Sequence, residues 1–290
     1  LKRMLAPEKS KNIHLESSSY FGLTREIHAR WLEIVDAYSR LDLSYETDKF
    51  PAISGLAREF HRQTGDRYLA GLWRSDLHRA LLWRPAAVDN ISMPSNLLRR
   101  RPKQWRAPSW SWASWDGYIN ASLVNWHHRV EYAHDASVIE AEVVLADEDV
   151  MGRLKGGQIR IRGLWSKVRL GNKGVATFRM IIEGGYHNTP GQFALLDQPD
   201  ETNRGSRYSP LSDLTGSFFD CVQIGIWNDH QPSNEHYKKS DDILWCLLLQ
   251  PAKGNRNCYC RVGIAYIRLE QVEDLLRMSN DWRLTEFIIV

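Results

Sequence analysis

The stretch from Ala107 to Gly117, APSWSWASWDG, places three tryptophans within six positions, and this density constrains the fold more than any other feature of the chain. Tryptophan makes up 12 of the 290 residues. An indole buries a large apolar area and usually needs a hydrogen-bond acceptor for its N–H group. A chain so rich in indoles is therefore expected to form a well-ordered core.

The stretch has two interpretations. Trp110 and Trp112 are two residues apart, so on a strand their rings share one face, and Asp116-Gly117 then supplies a turn. The first interpretation is a core strand, ended by that turn and packed on a helical layer. The second is an aromatic platform for a base, a sugar or a peptide. The serines lack the G-x-S-x-G turn that exposes a catalytic hydroxyl, so no acyl-transfer nucleophile is predicted.

The apolar residues that precede this stretch have helical spacing. Ile27, Trp31 and Ile34 begin the stripe of one amphipathic helix, and two more helices are expected before residue 86. Residues 1–23 are polar, show no periodicity and are predicted to be a tail or linker. The predicted starts and stops of the helices are Thr24, Pro51, Gly65, Ser75 and Pro85.

Beyond residue 105 the period changes from helical to strand-like. QIRIRG alternates strictly, with Ile159 and Ile161 on one face, and FFDCVQIGIW, DILWCLLLQP and CYCRVGIAYI are each long enough for a strand. LEQVEDLLRM, residues 269–278, predicts a short C-terminal helix, and EFIIV predicts a last strand. Since the strands follow the helices and do not alternate with them, the fold class is α+β.

The predicted architecture is a single α+β region over residues 24–290. A helical layer occupies about 24–85, and a mostly antiparallel β-rich region with a short C-terminal helix occupies about 105–290. Leu1 stands where a start methionine is expected, which suggests a piece of a longer product.

Charge and hydropathy exclude several classes of partner. The formal charge of +3 is too small to argue for nucleic acid, and no apolar run approaches the length of a membrane span. The first residues do not form a secretory signal, so a cytoplasmic location is expected. The run Arg99–Lys103 is a weak candidate for nuclear import or a phosphate patch, but a solvated loop tethered at its ends, by Leu97, Leu98 and Trp105, explains it as well.

Histidine and cysteine patterns do not predict a metal or a cofactor. Cys258 and Cys260 have C-x-C spacing, whereas zinc knuckles use C-x2–4-C. These two, with Cys221 and Cys246, are expected to be reduced, buried thiols. His127, His128, His134 and Asp135 are predicted to lie in a loop as exposed or locally paired residues.

Three longer stretches carry a family resemblance. LSYETDKFPAISGLAREF, YLAGLWRSDLHRALLWRP and WRAPSWSWASWDG occur in this order, and they resemble the region downstream of the heterokaryon incompatibility (HET) domain of filamentous fungal proteins. IRIRGLW and YCRVGIAYI extend the resemblance over about residues 30–290. The residues that mark the motifs, as a binding site or as structure, are Trp73, Trp83, Trp110, Trp112, Trp115, Asp116, Gly117, Arg261 and Gly263.

The resemblance implies a role in non-self recognition after hyphal fusion and in programmed cell death. The two signatures of the HET domain proper, a Y-x-A-L-S-Y-x-W-G-like and a W-I-D-x-x-C-I-N-Q-like stretch, are missing from this sequence. The chain is therefore predicted to be a non-enzymatic accessory region that contacts other proteins, either an incompatibility partner or its own HET domain. Two alternatives stay open: a fragment of a TIR-like NAD-cleaving enzyme whose carboxylate lies upstream, and a small-ligand binder that uses the surface of Trp110 and Trp112.

Overall fold

The helical spacing of the N-terminal part corresponds to a layer of helices in the computed structural model of the protein. The structure describes residues 17–85, 100–121, 129–133, 135–173, 178–182, 192–197, 217–228, 242–269 and 282–290. The α-helices are α1 (Ser17–Ser39), α2 (Ser54–Thr64) and α3 (Leu77–Ala80), and short 3-10 turns occupy Glu46–Lys49, Pro51–Ile53, Arg74–Asp76 and Trp112–Ser114.

Helix α1 begins earlier than predicted. Thr24 is not its N-cap, because the helix begins at Ser17 and the predicted tail 1–23 therefore ends in helix. Extending a formed helix by one residue costs far less than nucleating one, so residues of weak propensity join it. The predicted inner stripe is confirmed for Trp31, Ile34 and Val35, which are buried.

Helix α2 follows its predicted signals. Pro51 opens the 3-10 turn that leads into it, and Gly65 ends it in the left-handed conformation, with φ of 66°. The predicted cap of α3 is wrong: Ser75 lies in the preceding 3-10 turn, and its hydroxyl donates to Asp66. Helix α3 ends at Ala80, well before Pro85.

Thirteen strands follow from Tyr68 onward among the described residues. They are β1 (Tyr68–Leu69), β2 (Leu72–Trp73), β3 (Arg84–Pro85), β4 (Ile119–Asn120), β5 (Arg129–Tyr132), β6 (Ser137–Leu145), β7 (Leu154–Lys173), β8 (Phe178–Ile182), β9 (Gln192–Leu196), β10 (Phe218–Asn228), β11 (Asp242–Ala252), β12 (Asn255–Leu269) and β13 (Arg283–Ile289).

Strand β7 pairs with more strands than any other in the main sheet, which has nine strands among the described residues. Its first half pairs with β6 and β13, and its second half pairs with β8 and β10. Strands β7, β8, β9, β12, β11 and β10 thereby close into an antiparallel ring. At the crossing point a Cβ on Gly163 would lie 2.4 Å from the carbonyl oxygen of Gln223, so only glycine lets β7 approach β10 there.

The predicted α+β class with mostly antiparallel strands is confirmed, since among the strands that the structure describes only the contact between β12 and β13 is parallel. The final strand is also confirmed as β13. The predicted C-terminal helix over 269–278 lies outside the described residues, except that Leu269 belongs to β12.

Two apolar clusters share the ring strands. On β11, Trp245 and Leu247 belong to the larger cluster, which also contains the buried side chains of the helical layer. Leu244, Cys246 and Leu248 belong to the second cluster, which consists mainly of side chains from the ring strands. Because both faces of β11 are covered, its sequence is a continuous apolar run.

Candidate functional site

The tryptophan segment at Ala107–Gly117 is not a strand. Residues Trp112–Ser114 form a 3-10 turn, and the Ser111 hydroxyl caps it by accepting the Ala113 N–H at 3.1 Å. A serine hydroxyl competes in this way with the ladder bonds of a sheet. The expected core position is nevertheless found, because the rings of Trp110, Trp112 and Trp115 are fully or almost fully buried.

Indole N–H groups connect this segment to the helical layer. The carbonyl of Gly71 accepts the N–H of Trp112 at 3.0 Å and that of Trp31 at 2.8 Å. The Trp83 N–H donates to the Trp110 carbonyl at 2.9 Å. One short segment thus joins α1, the β1–β2 hairpin and the chain after α3.

Two serines of the segment, Ser109 and Ser111, anchor it to other parts of the fold. Ser111 donates its hydroxyl to the Ala70 carbonyl at 2.6 Å. The Ser109 N–H donates to the Val290 carbonyl at 3.0 Å, and the Ser109 hydroxyl accepts the Arg261 N–H at 2.9 Å. These bonds fix the β1–β2 hairpin, the last residue of the chain and strand β12 to the same segment.

Arg261 connects the tryptophan segment to the ring of strands. Its guanidinium stacks 3.8 Å from the centre of the Trp83 ring and donates to the Asp197 carboxylate and to the Trp83 carbonyl. Both members of the Arg261–Asp197 pair are fully buried. Burial lowers the pKa of Arg261, and the carboxylate of Asp197 opposes that shift. Gly263 lies in β12 between Leu248 of β11 and Leu196 of β9.

Trp73 is part of the same aromatic core. Its ring stacks on Phe60 with centroids 6.3 Å apart and meets the edge of Trp31 at 5.4 Å. Every tryptophan that marks the resemblance is therefore a packing residue, and the predicted Trp110–Trp112 surface offers no exposed ring face to a ligand.

A charged cluster lies at the end of the segment. Gly117, with φ of 94°, forms the predicted turn, and the Asp116 carboxylate accepts from the Arg106 guanidinium at 2.9 Å. The Lys49 ammonium lies 3.7 Å from the same Asp116 oxygen, and Arg100 lies 3.5 Å from the other. Arg106 also donates to the carbonyls of Ala113, Trp115 and Glu46 at 2.8, 3.2 and 2.9 Å.

Lys49 is the most perturbed charge of this cluster. Its residue is only 2% exposed, and burial lowers its pKa from 10.5 to about 8 even though Asp116 opposes the shift. The nearby Tyr38 hydroxyl donates to the Lys49 carbonyl at 2.9 Å, and burial raises the pKa of Tyr38 to about 12. This cluster locks the turn at residues 116–117 onto the 3-10 turn Glu46–Lys49.

Ser75, His28 and Asp66 lie in contact with one another, which the sequence did not predict. The Asp66 carboxylate accepts the Ser75 hydroxyl at 2.5 Å and lies 2.9 Å from His28 Nε2. Burial alone would raise the pKa of Asp66, but these two hydrogen bonds outweigh it and lower the pKa. The Ser75 hydroxyl also lies 3.5 Å from His28 Nε2. That same nitrogen faces Asp66, whereas in a nucleophilic triad the serine and the carboxylate bond to different ring nitrogens, so the geometry of such a triad is absent here. No sequence signal could reveal the trio, because its members are far apart in the chain.

In the basic run Arg99–Lys103, the described residues are fixed by contacts that the sequence did not predict. Arg101 stacks 3.8 Å from the Trp115 ring centre, and Arg100 lies 3.6 Å from the Glu46 carboxylate. The predicted tether through Trp105 is wrong because that ring is exposed, and Arg106 is the buried anchor instead. Residues Leu97–Arg99 lie outside the described residues.

The cysteines divide into two pairs. Cys221 and Cys246 are buried free thiols in neighbouring strands, as expected, and burial together with Cys246 raises the pKa of Cys221. Cys258 and Cys260 are free thiols too, but they are half-buried, which corrects the prediction of burial. Within the described ranges no three His, Cys, Asp or Glu side chains gather where a metal ion could bind. His127, His128 and His134 lie outside those ranges.

The comparisons with known proteins add no family to this picture. The chain matches no protein-family model, no curated protein and no solved structure. In the part of the chain that the structure describes, none of the helices has the length and apolar character needed to cross a membrane.

Proposed function

We propose that this chain is the downstream accessory region of a HET-type protein and supports fungal non-self recognition and programmed cell death through contacts with other proteins. The proposal starts from the family resemblance of the sequence motifs. One observation carries it further: the residues that carry the resemblance converge on a single buried network. Segment 105–117 bonds to Glu46, to Gly71 and to Arg261, each of which belongs to a different motif.

This convergence favours a contact role over a ligand role. The Trp112 indole N–H and the hydroxyls of Ser109 and Ser111 make internal hydrogen bonds, and all three indoles of the segment are buried, so these side chains specify the fold. Because these side chains are buried, recognition of another protein is left to the exposed surface of the chain. The same proposal places the protein in the cytoplasm, with nuclear import through Arg99–Lys103 as the lesser possibility; a fluorescent fusion distinguishes the two.

The gene and a viability assay test the proposal. We expect the reading frame upstream of the codon for Leu1 to encode the two HET signatures. Expression of that longer product in a filamentous fungus should kill cells of an incompatible strain, and deletion of residues 17–290 should abolish the killing. Unrelated upstream sequence, or killing that persists after the deletion, would contradict the proposal.

An activity assay separates the accessory role from the enzyme alternative. The longer product, which includes the residues upstream of Leu1, is purified with and without residues 17–290 and incubated with NAD, and free nicotinamide is measured by chromatography. For an accessory role we expect the same release from both products, because no position of this chain matches a motif that holds a catalytic carboxylate. Release that requires residues 17–290 would instead favour the fragment of a TIR-like NAD-cleaving enzyme.

A further inference from the structure

Two large aromatic side chains are exposed beside the charged cluster. Tyr45 is 69% exposed and Trp105 is 54% exposed. Tyr45 precedes Glu46, and Trp105 precedes Arg106. The Lys103 N–H donates to the Glu46 carboxylate at 2.9 Å, and Arg106 donates to the Glu46 carbonyl at 2.9 Å. The segments that carry the two rings are therefore fixed next to each other.

Opposite charges are segregated on these two segments. Residues 41–48, LDLSYETD, contain three acidic residues and no basic one, whereas residues 100–105, RRPKQW, contain three basic residues and no acidic one. Asp42 and Lys103 are exposed. We call the two segments together the Tyr45–Trp105 patch; each segment has charges of one sign and one exposed aromatic ring.

Exposed aromatic rings are costly in water and are typical of contact surfaces. Tyrosine and tryptophan are enriched among the residues that dominate the free energy of protein association, because they bury much area with few rotatable bonds. Leu41, on the same acidic segment, is also exposed. The patch therefore has the composition of an interface.

We propose that the Tyr45–Trp105 patch binds a second copy of this chain in a two-fold symmetric dimer. A two-fold interface brings the same patch together twice, so the patch must be complementary to itself. In this dimer the acidic segment of each copy faces the basic segment of the other, and Tyr45 and Trp105 are buried between the copies. A patch of one sign would repel its own copy. This inference does not depend on the HET-type role proposed above.

Sedimentation velocity over a concentration series, at low and at moderate salt, tests the dimer. We expect a concentration-dependent dimer that weakens as salt rises, since exposed charge pairs are screened. Trp105→Ser should raise the dissociation constant at least about tenfold. Val144→Ser removes an apolar side chain that is 57% exposed on β6, and it serves as the matched control with an unchanged constant.

A charge exchange tests the orientation of the two copies. Asp42→Lys and Lys103→Glu should each weaken the dimer, and the double variant should restore it, because opposite charges again face each other. All these side chains are exposed, so the thermal midpoints should match that of the unchanged chain. A monomer at every concentration, a dimer insensitive to Trp105→Ser, or a double variant weaker than either single one would overturn the proposal.

Discussion

Gly71 shows at the scale of one residue how a missing side chain positions two tryptophans. Its φ of 89° lies in the left-handed region, and a Cβ on it would lie 2.5 Å from the Trp112 indole nitrogen. We expect Gly71→Ala to lower the free energy of unfolding by about 2–4 kcal/mol, from backbone strain and displacement of the indole. Urea denaturation followed by circular dichroism measures the loss.

The control for this change is Gly55→Ala, in helix α2. A Cβ on Gly55 meets nothing within 4 Å, and alanine is the better helix former. This variant should be as stable as the unchanged chain or more stable by about 0.5–1 kcal/mol. Equal losses in both variants would contradict the role given to Gly71.

Lys49 gives a prediction for the pH dependence of stability. Its pKa is about 8 in the folded chain and close to 10.5 when unfolded, so the unfolded chain binds more protons between these values and stability rises with pH there. Below pH 8 the buried charge costs on the order of 3 kcal/mol. Lys49→Met removes this cost, so its gain in stability over the unchanged chain should be largest at neutral pH and shrink between pH 8 and 10.5.

Denaturant midpoints at several pH values measure this difference. Subtracting the curve of the unchanged chain removes the titration of Tyr38 and of the other tyrosines, which is common to both proteins. Lys103→Met, which alters an exposed lysine, should give a flat difference over the same range. A flat difference for Lys49→Met as well would show that its amine is not desolvated.

At the residue scale, the sequence predicted which apolar side chains are buried, but it did not predict which polar side chains pair with each other. The indoles and the stripe around Trp31 are buried because their side chains are apolar and regularly spaced. The Lys49–Asp116 and His28–Asp66 pairs join residues that are far apart in sequence, so no spacing announces them. Lys49 follows polar residues and is therefore expected to be exposed to water. Only the tertiary fold buries it against the tryptophan segment.

At the scale of elements, the tryptophan segment explains why a pattern was misinterpreted. The alternation W-S-W mimics a strand, but Ser111 uses its hydroxyl to cap a turn. In the described part of the chain, only Asp116 of this segment pairs as a strand does, in an isolated bridge with Arg100. QIRIRG alternates in the same way and is a strand, because β6 and β13 lie on either side of it. Alternation predicts a strand reliably only when a partner is available.

Strand β13 gives the prediction for an element. Phe287 is buried, and its ring meets the edge of Tyr259 with centroids 4.8 Å apart. We expect Phe287→Ala to cost about 3–5 kcal/mol, because it opens a cavity in the larger core. On the same strand Leu284 is 42% exposed, so Leu284→Ala should cost less than about 1 kcal/mol. Urea unfolding of both variants measures the contrast, and similar losses would contradict the placement of β13.

At the scale of the whole molecule, the order of helices before strands predicted the fold class but not the closed ring. Ring closure requires β7 to change partners halfway along its 20 residues, and a single sequence contains no signal for such a change except Gly163. The larger core contains residues from the helical layer and from the sheet alike. The two layers therefore stabilise each other and should not unfold separately.

The buried Arg261–Asp197 pair tests this coupling. Removing the carboxylate in Asp197→Ala leaves a buried guanidinium unpaired beneath Trp83, which should cost about 3–5 kcal/mol. Asp147→Ala breaks the exposed pair with Arg153, where the two charges are 3.4 Å apart, and should cost less than about 1 kcal/mol. Tryptophan fluorescence reports mainly on the larger core and circular dichroism on helices and strands together. Both signals should shift to the same lower midpoint in Asp197→Ala, because the guanidinium bonds to the chain after α3 and to the residue after β9 at once. A shift in one signal alone would mean that the layers unfold independently and that the tryptophan segment does not join them.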